Sequence, residues 1–464
     1  MVISNSTSFI NSNVNIHDRR FARKFEIKYK AEGRYINPLI VLFGSFIILL
    51  FIRVPISFSL IFASILTMIY DGISLMVVIQ RVMSGLNSYS LVAVPLFLLA
   101  GSIMQGEIID RLLRLSEALI GRIPGALAHV NIVVSMFFAG LTGSSVADTA
   151  AIGGVLIPAM IKKGYSKNFS VAVTAASSTI GVIIPPSILM LIYAAHAQVS
   201  VGAMFLGGAI PGILIGLGQM VLVILMDKKY HFPKGDKKYT FVGKVKAIYE
   251  ALPALFVPII IIGGIILGIF TATESAAVAV VYAIIILIFF KRLSKANDFI
   301  ILIKNAIVNI GPTLFCITGA TIFAYLLAYY RLPDYVIDVA LKLNLNYVSA
   351  LLFVFVLYAI LGTFMSGVPA IITFMPIIQA IGHAGGVHPI HLGVVACVTM
   401  AVGLITPPYG ICLLLACKLA NISVMSGFKS IIIFIIFFII IVVFCIIFPD
   451  IILWLPSLII PNFS

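Results

Sequence analysis

The chain has 464 residues, 62% of them hydrophobic and only 10% charged, with a formal net charge of +14 and a mean hydropathy of +1.19. Apolar runs recur along nearly the whole length. They exclude a soluble globular domain and, being continuous rather than alternating, argue against a β-barrel. The positive charge is scattered over polar segments between these runs, which is the pattern of cytoplasmic loops and not of a nucleic-acid patch.

In chain order, residues 1–36 are polar, Asn/Ser-rich and then basic, and read as a surface tail without a cleavable signal peptide. Spans are predicted at about 38–52, 56–70 and 91–106, then a helical hairpin over 125–161, a broken helix over 168–197 and a further span over 204–226. A basic cytoplasmic linker, 227–253, follows. The same order then returns: spans at about 254–270, 273–290 and 307–329, a hairpin over 347–381, a broken helix over 392–420 and a span over 428–448. Segments 71–90, 236–250, 292–305 and 331–346 are amphipathic and are predicted to lie in the interface. Residues 457–464 read as a short C-terminal tail.

The order repeats because the sequence repeats. GLTGSSVADTAAIGGVLIP, from Gly140, and ASSTIGVIIPPS correspond to GTFMSGVPAIITFMP, from Gly362, and TMAVGLITPPYG. Gly181–Pro186 matches Gly403–Pro408, Pro95 matches Pro312, Pro55 and Ser57 match Thr273 and Ser275, and Gln198–Ser200 matches Asn421–Ser423. The expected fold is therefore an all-α polytopic membrane protein made of two halves, 37–226 and 254–456. Each half has about five spanning helices and one re-entrant hairpin. Paired Gly/Pro-broken apolar segments in corresponding halves point to the binding site of a secondary transporter.

Charge supplies the topology. Arg111, Arg114 and Arg122 precede the first hairpin and Lys162, Lys163 and Lys167 follow it, so the chain enters, turns at GLTGSS and returns to the same side. With that side inside, 20 basic residues lie inside and three, Arg81, Arg331 and Lys342, outside, apart from seven in the N-terminal tail. The tail argues for an inside N-terminus, and the other basic residues outweigh it. Five crossings per half make the halves antiparallel, an inverted repeat.

These stretches, with LPALFVPIIIIGGIILGIFTATESAAVAV and HLGVVACVTMAVGLITPPYG, closely resemble the large membrane subunit of TRAP transporters (tripartite ATP-independent periplasmic transporters), from about Asn37 to Pro456. The resemblance implies a Na⁺-coupled importer in the bacterial inner membrane, of the ion-transporter superfamily, with an elevator mechanism. It also implies two partners, a small four-helix membrane subunit and a periplasmic substrate-binding protein, and an organic acid as substrate: a C4-dicarboxylate, sialic acid or another sugar acid. Many family members carry an Asp where this chain has Ser366. A stand-alone Na⁺/carboxylate symporter of the same superfamily is the alternative. A passive channel would not need paired hairpins.

Na⁺ is a hard cation that takes oxygen ligands, which unwound helix and Ser/Thr hydroxyls supply. The first cluster is Gly143, Ser144, Ser145, Ser177, Ser178, Thr179 and Gly181; the second is Gly362, Thr363, Ser366, Thr399, Gly403 and Thr406. The same residues also suit helix–helix packing. Each Pro-Pro removes N–H donors and frees carbonyls, and the helix resuming after it presents positive N–H groups. Pro185, Pro186, Ser187, Pro407 and Pro408 are therefore candidates for holding a substrate carboxylate without a Lys or Arg, with Asp148 beside them. Asp148 is equally suited to cap the returning hairpin helix, and Glu274 to complement its own helix start. His383, His388 and His391 read as an external loop, and the five cysteines as small buried hydrophobes. There is no phosphate loop, no HExxH and no nucleophile–base pair, so the expectation is a transporter and not an enzyme.

Overall fold

The computed structural model describes residues 36–104, 107–235, 239–289, 296–460 and 463; positions 1–35 of the expected tail lie outside these. Regular structure among the described residues is helical, apart from one antiparallel bridge between Pro124 and Lys234.

The chain divides into two compact units at Val77. In the first, α1 (Pro38–Phe51) packs against α2 (Ile56–Asp71). Asn37 starts α1 by accepting from the Leu39 N–H, with Pro38 at the position where a missing donor costs nothing. Gly72, in the left-handed region at φ 70°, ends α2.

The second unit holds the remainder. A short helix, α3 (Met76–Leu86), bends by 64° into α4 (Tyr89–Met104). The amphipathic α5 (Glu107–Ile120) leads to a helical hairpin, α6 (Ala126–Thr142) and α7 (Ser145–Lys162). Helix α8 (Lys167–Ser178) tightens to a 3₁₀ turn over Thr179–Val182, breaks, and resumes as α9 (Ile188–Ala197), followed by α10 (Val201–Tyr230). Then come α11 (Phe241–Ile266), α12 (Ala272–Phe289), α13 (Ala296–Tyr329) and α14 (Leu332–Lys342). A second hairpin, α15 (Tyr347–Phe364) and α16 (Gly367–Ala384), precedes α17 (Pro389–Gly403), a second break, α18 (Ile411–Ala420), α19 (Val424–Ile447) and α20 (Asp450–Ile459). Among the described residues eight helices are long and apolar enough to cross a membrane, or nine if the bent α3–α4 pair is one span. This is a polytopic membrane protein.

The elements differ from expectation in four places. The predicted interfacial segment 236–250, from Phe241 on, and the span 254–270, as far as Ile266, form one helix, α11, which runs through Pro253 and Pro258 and across the expected linker boundary at 253/254. Likewise the part of 292–305 from Ala296 on and the span 307–329 join in α13, which runs through Pro312. Proline reads as a helix start in sequence, but in a membrane its neighbours re-satisfy the freed carbonyl and the helix continues. Helix α5 was not anticipated, although Ile108, Ile109, Leu112, Leu115 and Ala118 recur at helical spacing and are all buried. Helix α20 runs from inside the expected second half into the expected C-terminal tail.

The packing of the second unit is reciprocal. Helix α9, which resumes after the first break, packs against α16, the returning arm of the second hairpin; α18, which resumes after the second break, packs against α7, the returning arm of the first. Glycines allow both approaches. A Cβ on Gly153 of α7 would stand 3.1 Å from Leu419 Cδ1, and one on Gly367 of α16 would stand 2.7 Å from Leu189 Cδ1. Lipid is as apolar as a leucine side chain, so close contact at small residues, and not hydrophobic burial, holds such helices together.

Candidate functional site

Two junctions occupy the middle of this packing. At the first, α6 ends at Gly143 in the left-handed region (φ 59°), and Ser144, in extended backbone, caps α7 by accepting from the Ala147 N–H at 3.4 Å. The break after α8 lies directly against this tip. A Cβ on Gly143 would stand 2.6 Å from Pro186 O, and one on Gly181 would stand 3.1 Å from Ser145 N. Backbone meets backbone here, so only glycine fits. The fold thus brings Gly143, Ser144, Ser145, Gly181 and Pro186 together, with Ser178 and Thr179 in the turn before Gly181.

The second junction has the same parts. The hairpin turns at Met365 and Ser366, both extended, and the backbones of Gly362 and Gly403 touch: a Cβ on Gly403 would stand 2.6 Å from Gly362 O. Tyr409 N donates to Thr363 O at 2.8 Å, closing the break onto the hairpin. Pro185–Pro186 and Pro407–Pro408 are both cis. Beyond each break, Gln198 and Asn421 end α9 and α18 in the left-handed region, and Ser200 and Ser423 cap α10 and α19.

Five of the candidate hydroxyls are arranged in one way. Ser178 donates to Thr174 O (2.8 Å), Thr179 to Ala176 O (2.6 Å), Thr363 to Ile360 O (2.7 Å), Thr399 to Val395 O (2.7 Å) and Thr406 to Val402 O (2.8 Å). Each proton is thereby turned to a carbonyl, which leaves the oxygen lone pairs for another donor or a cation. Ser145 Oγ is buried with no hydrogen-bond partner among the described residues. Ser366, the second-hairpin counterpart of Ser144, makes no side-chain cap bond.

Asp148, in the first turn of α7, is fully buried, and neither carboxyl oxygen has a hydrogen-bond partner among the described residues. Ser135 and Ser178 lie beside it, but their hydroxyls donate to Ser177 Oγ (3.1 Å) and Thr174 O (2.8 Å). Ser144 does the capping, so the expected capping role for Asp148 is not what the structure has. A polar network backs the carboxyl, of which sequence reading named Ser177 but not Asn131, Ser135 or Thr174: Asn131 Nδ2 donates to Thr174 Oγ1 (2.6 Å) and Ser177 Oγ to Asn131 Oδ1 (3.2 Å). Its trace in the sequence is polar residues at i, i+4 inside apolar runs, Asn131 with Ser135 and Thr174 with Ser178.

Other expectations are corrected or sharpened. Ser187 is buried, donates to Val182 O at 2.6 Å and accepts from Met190 N at 3.3 Å, so its hydroxyl caps α9. Pro185 lines an apolar cavity of about 230 Å³, while Pro407 and Pro408 are half-buried and exposed. Glu274 accepts from the N–H and hydroxyl of Thr271, both at 2.8 Å, while Thr271 Oγ1 accepts from Glu274 N: a reciprocal cap, at the surface. His391 is not in a loop. It is buried on α17, with Nδ1 against Tyr347 OH (2.6 Å) and Nε2 against Cys445 O (3.0 Å). A carbonyl only accepts, so Nε2 carries the proton and Nδ1 accepts from the tyrosine.

Comparison with known proteins agrees with this architecture. Residues 43–451 match the model of the tripartite ATP-independent periplasmic transporter, DctM component. The chain is 37% identical over 389 residues to the isethionate TRAP transporter permease protein DctMQ of Oleidesulfovibrio alaskensis, covering 83% of this chain and 61% of that longer protein. It is 34% identical over 437 residues to the C4-dicarboxylate TRAP transporter large permease protein DctM of Vibrio cholerae, covering 89% of this chain and 96% of the relative. It is 32% identical over 415 residues to the sialic acid TRAP transporter large permease protein SiaM of the same organism, covering 88% and 96%. These relatives are transporter permeases and not enzymes, and the chain belongs to the family of TRAP transporter large permease (DctM) subunits.

Proposed function

We propose that this subunit imports an organic acid across the bacterial inner membrane, coupled to Na⁺, after a periplasmic binding protein delivers it. The observation that carries this reading is the pair of junctions, each a hairpin tip pressed backbone-to-backbone on a broken helix: Gly181 on Ser144–Ser145, and Gly403 on Gly362. Each concentrates carbonyls and Ser/Thr oxygens that keep lone pairs to spare, which suits a hard monovalent cation. Asp148 supports it further. A buried carboxylate without a hydrogen-bond partner needs a counter-charge or a proton, and a cation in the first junction supplies the former.

The substrate class rests on the relatives named above, whose ligands are all acids. The substrate's carboxylate sits near the helix starts that follow the two breaks, where N–H groups and the helix dipole favour an anion. Resumed helices and reciprocal packing suit two inverted halves in which the hairpins and broken helices move together past the remaining helices, an elevator. The small membrane subunit completes the assembly.

Uptake into proteoliposomes that contain both membrane subunits, with saturating binding protein, tests this. Uptake of the preferred acid should need an inward Na⁺ gradient. Ser145→Ala and Thr406→Ala should each raise the Na⁺ concentration for half-maximal uptake several-fold. Uptake that runs at full rate without Na⁺, or both variants with wild-type Na⁺ activation at normal expression, would discard the Na⁺ reading.

A further inference from the structure

At the base of the first hairpin, away from both junctions, lies a cavity of about 530 Å³. Lys162, Lys163 and Lys234 line its rim, Glu117 is the acid among the described lining residues, and Leu127 and Val130 form part of an apolar floor. Glu117 is engaged by Tyr239, whose hydroxyl donates to Oε2 at 3.0 Å. Lys162 and Lys234 have no ion pair among the described residues. Lys162 and Lys234 thus share the cavity with a carboxylate that is already bonded.

The rim is built into the fold. Lys234 is held by the antiparallel bridge to Pro124, and its neighbour Pro233 accepts from Gly125 N (3.1 Å) and from Tyr165 OH (3.2 Å). The Tyr165 ring stacks on Phe169 (6.1 Å) and on Phe232 (5.5 Å). Burial pushes its phenol up to about 12, so the hydroxyl remains a donor at physiological pH. A loop that would otherwise be free is clasped to the hairpin base, and Lys162, in the last turn of α7, faces the same space. Leu119, Ile123 and Tyr230, close by in sequence, are exposed large apolar groups suited to the edge of a bilayer.

A cationic rim over an apolar floor, at the membrane edge and on the side that the charge count assigns to the cytoplasm, fits one anionic headgroup. We propose that this cavity binds a phosphate-bearing anion, the headgroup of an anionic phospholipid, and that Lys162 and Lys234 are its principal contacts. The site needs no assumption about the transported acid.

The test uses the full chain in nanodiscs of phosphatidylcholine alone or with phosphatidylglycerol, and separately phosphatidylcholine nanodiscs with inorganic phosphate. Thermal unfolding and the number of retained lipids by native mass spectrometry are read. Phosphatidylglycerol should raise the unfolding temperature and be retained as one tight copy. Lys162→Gln/Lys234→Gln should lose that copy, with affinity about 30-fold weaker at roughly fivefold per lysine. Lys162→Arg/Lys234→Arg should keep it, which separates loss of charge from misfolding. A shift with the lipid alone, or with both anions, supports the proposal; a shift with phosphate alone makes the site one for a soluble anion and overturns the lipid assignment. No shift with either overturns the site altogether. An equal loss in the distant Lys342→Gln would reduce the effect to diffuse surface charge and also overturn it.

Discussion

Asp148 is an acid placed where a charge is costly. Its carboxyl is fully buried and lacks a hydrogen-bond partner among the described residues, while the hydroxyls of Ser135 and Ser178 beside it donate elsewhere. Taking a charge into such a place destabilises the fold unless something compensates it. Asp148→Asn keeps the shape and removes the charge. The unfolding temperature in Na⁺-free buffer should therefore hold or rise, while Na⁺-driven uptake falls below about a tenth of wild type, the scale of losing one charged contact. A variant with wild-type uptake would remove Asp148 from the cation pathway. Gly403 is the opposite case, a residue that matters through what it lacks. A side chain there would meet the Gly362 backbone, which cannot swing aside as a flexible side chain can. Gly403→Ala should cost about 1–3 kcal/mol, seen as a lower unfolding temperature, and should open the second junction. Unchanged stability would show that this contact yields easily.

Single helices depend on their caps at the breaks. Ser187 starts α9 with both sides of its hydroxyl in use, as donor to Val182 O and acceptor from Met190 N. Ser187→Ala removes both bonds and should cost about 1 kcal/mol or somewhat more. Ser187→Thr retains them and should be tolerated. Ser187→Asp keeps an acceptor for the helix but turns a carboxylate toward the Val182 carbonyl, and it sets a negative charge where the substrate acid is proposed to sit. Uptake should therefore rank wild type, Thr, Ala, Asp, measured in the same proteoliposomes. Wild-type uptake by Ser187→Asp would move the carboxylate site away from this helix start. The long helices α11 and α13 teach a related lesson: three internal prolines, Pro253, Pro258 and Pro312, leave them continuous, whereas the paired Pro185–Pro186 and Pro407–Pro408 coincide with breaks. One missing donor is absorbed by neighbours; two in succession are not.

Across the whole molecule, the distribution of basic residues and the hairpins must agree. The arms α7, α15 and α16 are each long enough to cross a bilayer, so length alone does not separate re-entrant hairpins from pairs of spans. The charges fix the side: basic groups flank both ends of the first hairpin, which places those two ends together on one side of the membrane. If the halves are inverted, the base of the second hairpin faces the opposite side. Cysteines placed at the exposed positions Lys163 and His383, in an otherwise cysteine-free chain, should react with an impermeant maleimide from opposite sides of the membrane. Reaction from one side only would refute the inverted arrangement.

Much of the helical plan was legible in the sequence alone, because apolar length sets a crossing and Gly or paired Pro sets a break. The turns at Gly143–Ser144 and Met365–Ser366 and the breaks before α9 and α18 fall within the repeated motifs. So did membership of a transporter family, since the motifs carry it. The tertiary structure decided the rest. That Gly181 lies on Ser145 and Gly403 on Gly362 is a contact between segments far apart in the chain, and no local pattern encodes it. The same holds for the network of Asn131, Ser135, Thr174 and Ser177 around Asp148, for the burial of His391 between Tyr347 and Cys445 O, and for the clasp of Pro233 by Tyr165. Apolar periodicity reports which face is buried but is silent on polar groups inside a membrane, whose partners come from other helices and are known only once those helices have packed.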